Sequence, residues 1–83
     1  MTKSALILNA GTTGDAIISP SSYPATIVLK FDPRGNTLVK YGINGATPSI
    51  PLNPGTTAVS ITSNVLQLSY SVASQDAKLE WDL

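Results

Sequence analysis

The sequence predicts an all-β protein, a small antiparallel sandwich or barrel of about seven short strands. Only 12% of its residues are charged, about half the usual share, and 19 of the 83 are serine or threonine. Short apolar runs recur between Gly, Pro, Asn and Ser residues, which is typical of strands and turns. No window keeps a 3.6-residue apolar period long enough for a helix. We expect one domain over residues 1–83, since independent domains usually need roughly 50–200 residues.

Seven runs of apolar or alternating residues indicate strands, and none of the intervening segments is long enough to be a linker. The predicted strands are 4–9, 15–19, 25–31, 37–43, 57–62, 65–73 and 77–83. Segment 49–52 adds a short edge piece, which Pro48, Pro51 and Pro54 limit because proline cannot donate a ladder hydrogen bond.

The clearest local pattern is the run from Asp32 to Asn36, with Pro33 second and Gly35 fourth. Proline presets φ, and glycine accepts positive φ without steric cost, so this run predicts a type I turn with a G1 bulge. A hairpin follows in which Asp32 pairs with Asn36. Its apolar face would pair Phe31 with Thr37, Leu29 with Val39, Ile27 with Tyr41 and Ala25 with Ile43.

A second hairpin is predicted from alternation in the last two strands. Joined through Ser74 and Gln75, its apolar face would pair Val72 with Ala77, Tyr70 with Leu79, Leu68 with Trp81 and Leu66 with Leu83. Two hairpins that each have one apolar face can stack with those faces inward. Trp81 and Tyr41 would then supply the largest side chains of the core.

The first predicted strand is apolar on both sides. Leu6 and Leu8 point one way, while Ala5 and Ile7 point the other. We therefore expect this strand to be covered on both faces, on one of them by another chain.

The composition argues against enzyme chemistry. Histidine and cysteine are both absent, which excludes disulfides, the common catalytic triads and most transition-metal sites. A Ser–Lys hydrolase is a remote alternative. Such an enzyme needs a lysine that is desolvated beside a serine, and nothing in the spacing of the lysines indicates such a pair. We predict no catalytic residue, no cofactor and no metal ligand.

Two further patterns favour ordinary structural roles. Asp76, Glu80 and Asp82 are expected on the solvated side of a strand and its turn rather than in a calcium loop, which would need more clustered oxygen ligands. The run 9–14 has the spacing G-x-x-G with no following lysine, so we interpret it as a turn rather than a phosphate loop.

The charges indicate which partners to expect. The net charge is zero, which argues against a nucleic-acid surface, and the cluster of Lys30, Arg34 and Lys40 lacks aromatic platforms. No apolar run reaches the roughly 20 residues that span a bilayer, and no segment resembles a signal peptide. We therefore expect synthesis in the cytoplasm and incorporation in a virion.

The distribution of charge along the chain favours association. Residues 41–75 contain no charged side chain, although charges normally keep protein surfaces and sheet edges apart. The part before this stretch is net positive and the part after it net negative, so we expect the basic turn of one copy to meet the acidic strand of another.

The leading hypothesis is a non-enzymatic structural protein, a virus capsid accessory such as a cement, decoration or spike subunit, which self-associates or docks on a lattice. The predicted partner-binding residues are Leu6, Leu8, Tyr23 and Arg34. The alternative is a carbohydrate- or protein-binding β-sandwich module that uses Tyr23, an aromatic residue in a loop beside Pro24.

Overall fold

A computed structural model describes residues 3–33 and 36–83, and within these ranges the chain forms eight β-strands and no helix. The strands are β1 (Lys3–Leu8), β2 (Thr13–Ile18), β3 (Ala25–Asp32), β4 (Thr37–Gly42), β5 (Ile50–Pro51), β6 (Gly55–Ile61), β7 (Leu66–Val72) and β8 (Ala77–Asp82). The predicted all-β sandwich is confirmed. The short edge piece expected at residues 49–52 is β5, and it brings the seven predicted strands to eight.

Two antiparallel four-stranded sheets form the sandwich. Sheet A has the order β1-β8-β3-β6, and sheet B has the order β2-β7-β4-β5. The first strand therefore pairs with the last, the second with the seventh, the third with the sixth and the fourth with the fifth. This nested pairing, wrapped into two sheets, is the strand order of a jelly roll.

Both predicted hairpins are wrong. β3 lies in sheet A beside β8 and β6, whereas β4 lies in sheet B beside β7. β7 and β8 are divided between the sheets in the same way. The connection of residues 73–76 therefore crosses the roughly 10 Å between stacked sheets instead of turning back within one sheet. Of the turn residues, Arg34 and Gly35 lie outside the described residues.

The inward faces were nevertheless predicted correctly for most positions. The buried apolar residues form one cluster between the sheets: Leu8, Ile18, Ile27, Leu29, Phe31, Val39, Leu52, Val59, Ile61, Leu66, Leu68, Val72, Ala77 and Leu79. Tyr41 and Trp81 are partly buried and pack against this cluster. Ile43, which was expected on the inner face, is instead exposed in the loop after β4.

The four sheet edges differ in character. β5 has only two residues and contains Pro51, and β2 carries Asp15, so both edges have features that discourage pairing with another chain. β6 has seven residues with neither proline nor charge between Gly55 and Ile61. Sheet A therefore has one long edge without such protection.

Side-chain hydrogen bonds fasten loops together at both ends of the sandwich. At one end, the Oδ1 atom of Asn44 accepts hydrogen bonds from the backbone N–H groups of Thr62, at 2.8 Å, and Ser63, at 3.2 Å. At the other end, the Oδ1 atom of Asp76 accepts a 2.7 Å hydrogen bond from the backbone N–H of Ala10. These contacts join loops that are far apart in the sequence.

Candidate docking surface

The loop of residues 9–12 is built as a turn whose polar groups are used within the chain. The N–H of Gly11, where φ is +78°, donates to the carbonyls of Val72 and Ala73 at 3.0 and 2.9 Å. The Oγ1 atom of Thr12 donates to the Asn9 carbonyl at 2.6 Å. β2 follows directly, so these amides do not form the helix N-terminus that a phosphate loop requires.

The structure places the four predicted partner-binding residues in different environments. Leu8 is 1% exposed and belongs to the core, and Leu6 packs against that core. Tyr23 is 38% exposed in the loop between β2 and β3. Arg34 lies outside the described residues. The three described positions, Leu6, Leu8 and Tyr23, are not brought together on one surface.

The outer side of β1 holds the remaining apolar side chains of that strand. Ala5 is exposed, and Ile7 is 55% exposed. The chain's own core therefore covers only one of the two faces that were expected to be covered. Whether another chain covers Ile7 stays a prediction.

The outer face of sheet A gathers opposite charges. In the pairing of β3 with β8, Lys30 lies opposite Glu80 and Asp32 lies opposite Lys78. The Nζ atom of Lys78 is 2.9 Å from the Oε1 atom of Glu80, with both side chains about half exposed. Two of the charges expected to join separate copies, Lys30 and Glu80, thus already face one another within a single chain.

The outer face of sheet B is nearly free of charge. Its outward positions on β2, β7 and β4 form three rows across the sheet: Thr13–Ser71–Leu38, Asp15–Ser69–Lys40 and Ile17–Gln67–Gly42. We call this set of nine residues the B face. It carries one acidic and one basic residue, on either side of Ser69 in the central row.

Two large apolar side chains stand out from the B face. Ile17 is 64% exposed and Leu38 is 66% exposed, the highest values among the large apolar residues of the described chain. A hollow of about 180 Å³ lies between Leu38, Lys40, Ser69 and Ser71. Leu38 borders this recess, and Ile17 lies at the diagonally opposite corner of the B face. An exposed apolar side chain beside a recess, on a surface with little charge, is a feature of protein interaction sites.

Sequence reasoning did not single out Ile17, Leu38 or Asp15, and it grouped Lys40 with the basic residues of the predicted first hairpin rather than with Asp15. A signal for the first two was present, because each is a large apolar residue out of phase with the inward residues of its own strand. The two charges gain meaning only from the registers of β2 and β4 against β7, which link distant parts of the chain.

A second surface lies at the end of the sandwich near the β2–β3 loop. A hollow of about 480 Å³ is lined by Ser19, Pro20, Ser21, Ser22, Pro24, Ala25 and Leu83. Tyr23 is exposed within this same loop. Three serines thus line the hollow, and the exposed ring of Tyr23 belongs to the same loop, between the lining residues Ser22 and Pro24.

No three His, Cys, Asp or Glu residues within 3–33 and 36–83 are grouped closely enough to hold a metal ion. The same ranges contain no helix that is long and apolar enough to cross a membrane.

Comparison with known proteins gives no match to a family model, to a curated protein or to a solved structure. The resemblance to a jelly roll is therefore one of strand order, taken from the pairings themselves.

Proposed function

We propose that this chain is a non-enzymatic structural protein that works by self-association or by docking on a larger protein lattice. In its specific form, the proposal is a virus capsid accessory, such as a cement, decoration or spike subunit. Such a subunit would be made in the cytoplasm of the producing cell and incorporated in the virion.

The B face is the observation that carries this proposal. Charged side chains normally keep the broad surfaces of small domains apart in solution. Here one entire broad face has a single residue of each sign, while Ile17 and Leu38 are both more than 60% exposed. Covering this face with protein would remove the apolar groups from water and leave no unbalanced charge in the contact.

The strand order adds weaker support. Jelly rolls of eight strands occur in viral capsid proteins, and also in lectins and cupins. Because one fold serves many functions, this order makes a capsid role reasonable without selecting it.

The direct experiment is to purify particles from the source that encodes the chain and to quantify the chain by mass spectrometry. A fixed ratio to the main shell protein, retained through a density gradient, is the expected result. Recovery of the chain solely as a free species, with none in any particle fraction, would contradict the capsid role.

A carbohydrate-binding function is the second candidate, and the hollow beside Tyr23 favours it. Serine hydroxyls can hydrogen-bond sugar hydroxyls, and an aromatic ring can stack on the apolar side of a sugar. A glycan array probed with the wild-type chain and with Tyr23→Ala tests this function. Binding that is lost in Tyr23→Ala would support it, and a blank array for both proteins would dismiss it.

A further inference from the structure

The central row of the B face has a self-complementary charge pattern. Asp15 on β2 and Lys40 on β4 both pair with Ser69 of β7, so they lie one strand to either side of it. Neighbouring strands are about 4.8 Å apart, which separates the two charges by roughly 10 Å. At that distance, across the partly buried Ser69, these two exposed charges contribute little to each other within one chain.

A two-fold axis running along β7 between two stacked copies would bring these charges together. Rotation about this axis turns the B face of the second copy toward the first. It places β2 of one copy over β4 of the other, and each row over the same row of the other copy. Asp15 of each copy then faces Lys40 of the other, so two ion pairs form across the contact.

The other two-fold arrangement is unfavourable. An axis across the strands, along the central row, would place Asp15 against the second Asp15 and Lys40 against the second Lys40. Like charges in direct opposition destabilise a contact. The charge pattern therefore selects the axis along β7.

The apolar residues suit the same arrangement. Leu38 of one copy faces Thr13 of the other, so neither large side chain meets its own twin. Ile17 faces the position of Gly42, which is buried beneath the backbone of Ala46 and Thr47, so this side chain meets the β4–β5 loop of the other copy.

The available area is adequate for such a contact. The molecule measures 37 × 25 × 17 Å along its principal axes, so its broad faces are bounded by the two longer dimensions. The whole broad side of the molecule is thus on the order of the 800 Å² per partner that standard interfaces bury, and the B face occupies part of that side.

We infer that the B face is the site of isologous pairing with a second copy of this chain, with the two-fold axis along β7 and reciprocal Asp15–Lys40 ion pairs. This inference rests on the proposed function and specifies its first contact. Sheet A, with its internally paired charges, faces outward on both sides of the resulting dimer.

Charge reversal tests the pairing with the intact chain. Sedimentation velocity across roughly a hundredfold concentration range gives the dimer dissociation constant. Asp15→Lys alone, or Lys40→Asp alone, replaces two attractive pairs by two repulsive ones and should raise this constant at least about tenfold. The double variant Asp15→Lys/Lys40→Asp should recover most of the affinity, because the reversed pairs are again complementary.

A mixing experiment is the sharpest form of the test. Asp15→Lys and Lys40→Asp, each weakened by itself, should form a heterodimer when combined, since every facing pair is then of opposite sign. Thr26→Lys, a charge added at an exposed position of sheet A, is the matched control and should leave the constant unchanged. Thermal unfolding of each variant shows that it is folded.

Two results would overturn the inference. One is a wild-type chain that stays monomeric over the whole concentration range. The other is a wild-type dimer that neither single reversal weakens, which would place the contact elsewhere, for example along the β6 edge. In the second case the proposed structural function still stands, whereas absence from every particle fraction would remove that function without reference to these variants.

Discussion

Asn44 performs two roles at a single position. Its backbone has φ of 54°, in the left-handed region that asparagine tolerates better than most residues. Its Oδ1 atom accepts two backbone hydrogen bonds from the β6–β7 loop. The same residue therefore shapes its own loop and fastens that loop to a neighbouring one.

We expect Asn44→Ala to lower the free energy of unfolding by about 2 kcal/mol. Alanine loses the accepted hydrogen bonds and is strained at positive φ, and each effect costs about 1 kcal/mol. Urea unfolding followed by tryptophan fluorescence measures the change. Asn53→Ala, at an exposed loop position, is the control, and equal unfolding curves for the two variants would refute this account.

Gly42 and Gly14 both lack room for a side chain, but for different reasons. A Cβ atom at Gly42 would lie 2.3 Å from the carbonyl oxygen of Ala46 and 2.7 Å from that of Thr47, which are backbone atoms. At Gly14 the nearest atom is the Oη of Tyr70, at 2.5 Å, which is the far end of a side chain.

Gly42→Ala should therefore be much more damaging than Gly14→Ala. We expect a loss of about 3 kcal/mol for the first, because the β4–β5 loop must move, and about 1 kcal/mol or less for the second, because the Tyr70 ring can turn aside. Parallel thermal and urea unfolding of the two variants provides the comparison. A larger loss in Gly14→Ala would show that the tyrosine is the more rigid neighbour.

At the scale of the elements, alternation predicted which face of each strand is buried but not which strand lies beside it. Leu29 and Val39 point inward whether β3 and β4 are adjacent in one sheet or face each other across the core. Both arrangements bury the same side chains, so the apolar pattern cannot separate them. The turn pattern at Pro33 favoured a hairpin, and the long-range pairings of β3 with β6 and β8 prevailed over it.

An engineered disulfide tests the pairing of the first strand with the last. Ala5 and Glu80 are register partners on the outer side of sheet A, and paired strand positions lie within disulfide reach. Because the chain has no cysteine of its own, Ala5→Cys/Glu80→Cys should oxidise cleanly and stabilise the fold by about 4 kcal/mol.

The matched control is Lys30→Cys/Leu38→Cys, which the predicted hairpin would place opposite each other. In the structure these residues lie on the outer faces of different sheets, so this pair should remain reduced. Titration of free thiols under mild oxidation distinguishes the variants. Ready oxidation of the control pair would contradict the observed sheet order and support the predicted β3–β4 hairpin.

At the scale of the whole molecule, the composition and the turn residues between the apolar runs were sufficient to predict the fold class, because strand and turn preferences are local. The jelly-roll order was not predictable, because it is defined by pairings between distant strands. The opposed charges of the candidate surface, Asp15 and Lys40, were missed for the same reason, whereas Ile17 and Leu38 had a local signal that was not used. Leu6 and Leu8 were predicted to bind a partner because their strand is apolar on both sides. In the structure they pack in or against the core, whereas Ile17 and Leu38 are exposed.

The position of β8 makes the fold depend on its last strand. β8 lies between β1 and β3 in sheet A, so removing it separates β1 from the rest of that sheet. We expect a chain that ends before Ala77 to remain unfolded by far-UV circular dichroism, while a chain lacking Leu83 alone still folds. A cooperative unfolding transition in the shorter chain would contradict this expectation.

The unguarded edge of β6 also has a consequence outside the native state. Over seven residues its outward N–H and C=O groups can template a further strand, and threonine, valine and isoleucine readily adopt that conformation. When the chain is concentrated or heated, we expect this segment to take part in fibrillar deposits, because it is a strand edge without proline or charge. A partner that covers this edge soon after the chain is synthesised would prevent such deposits.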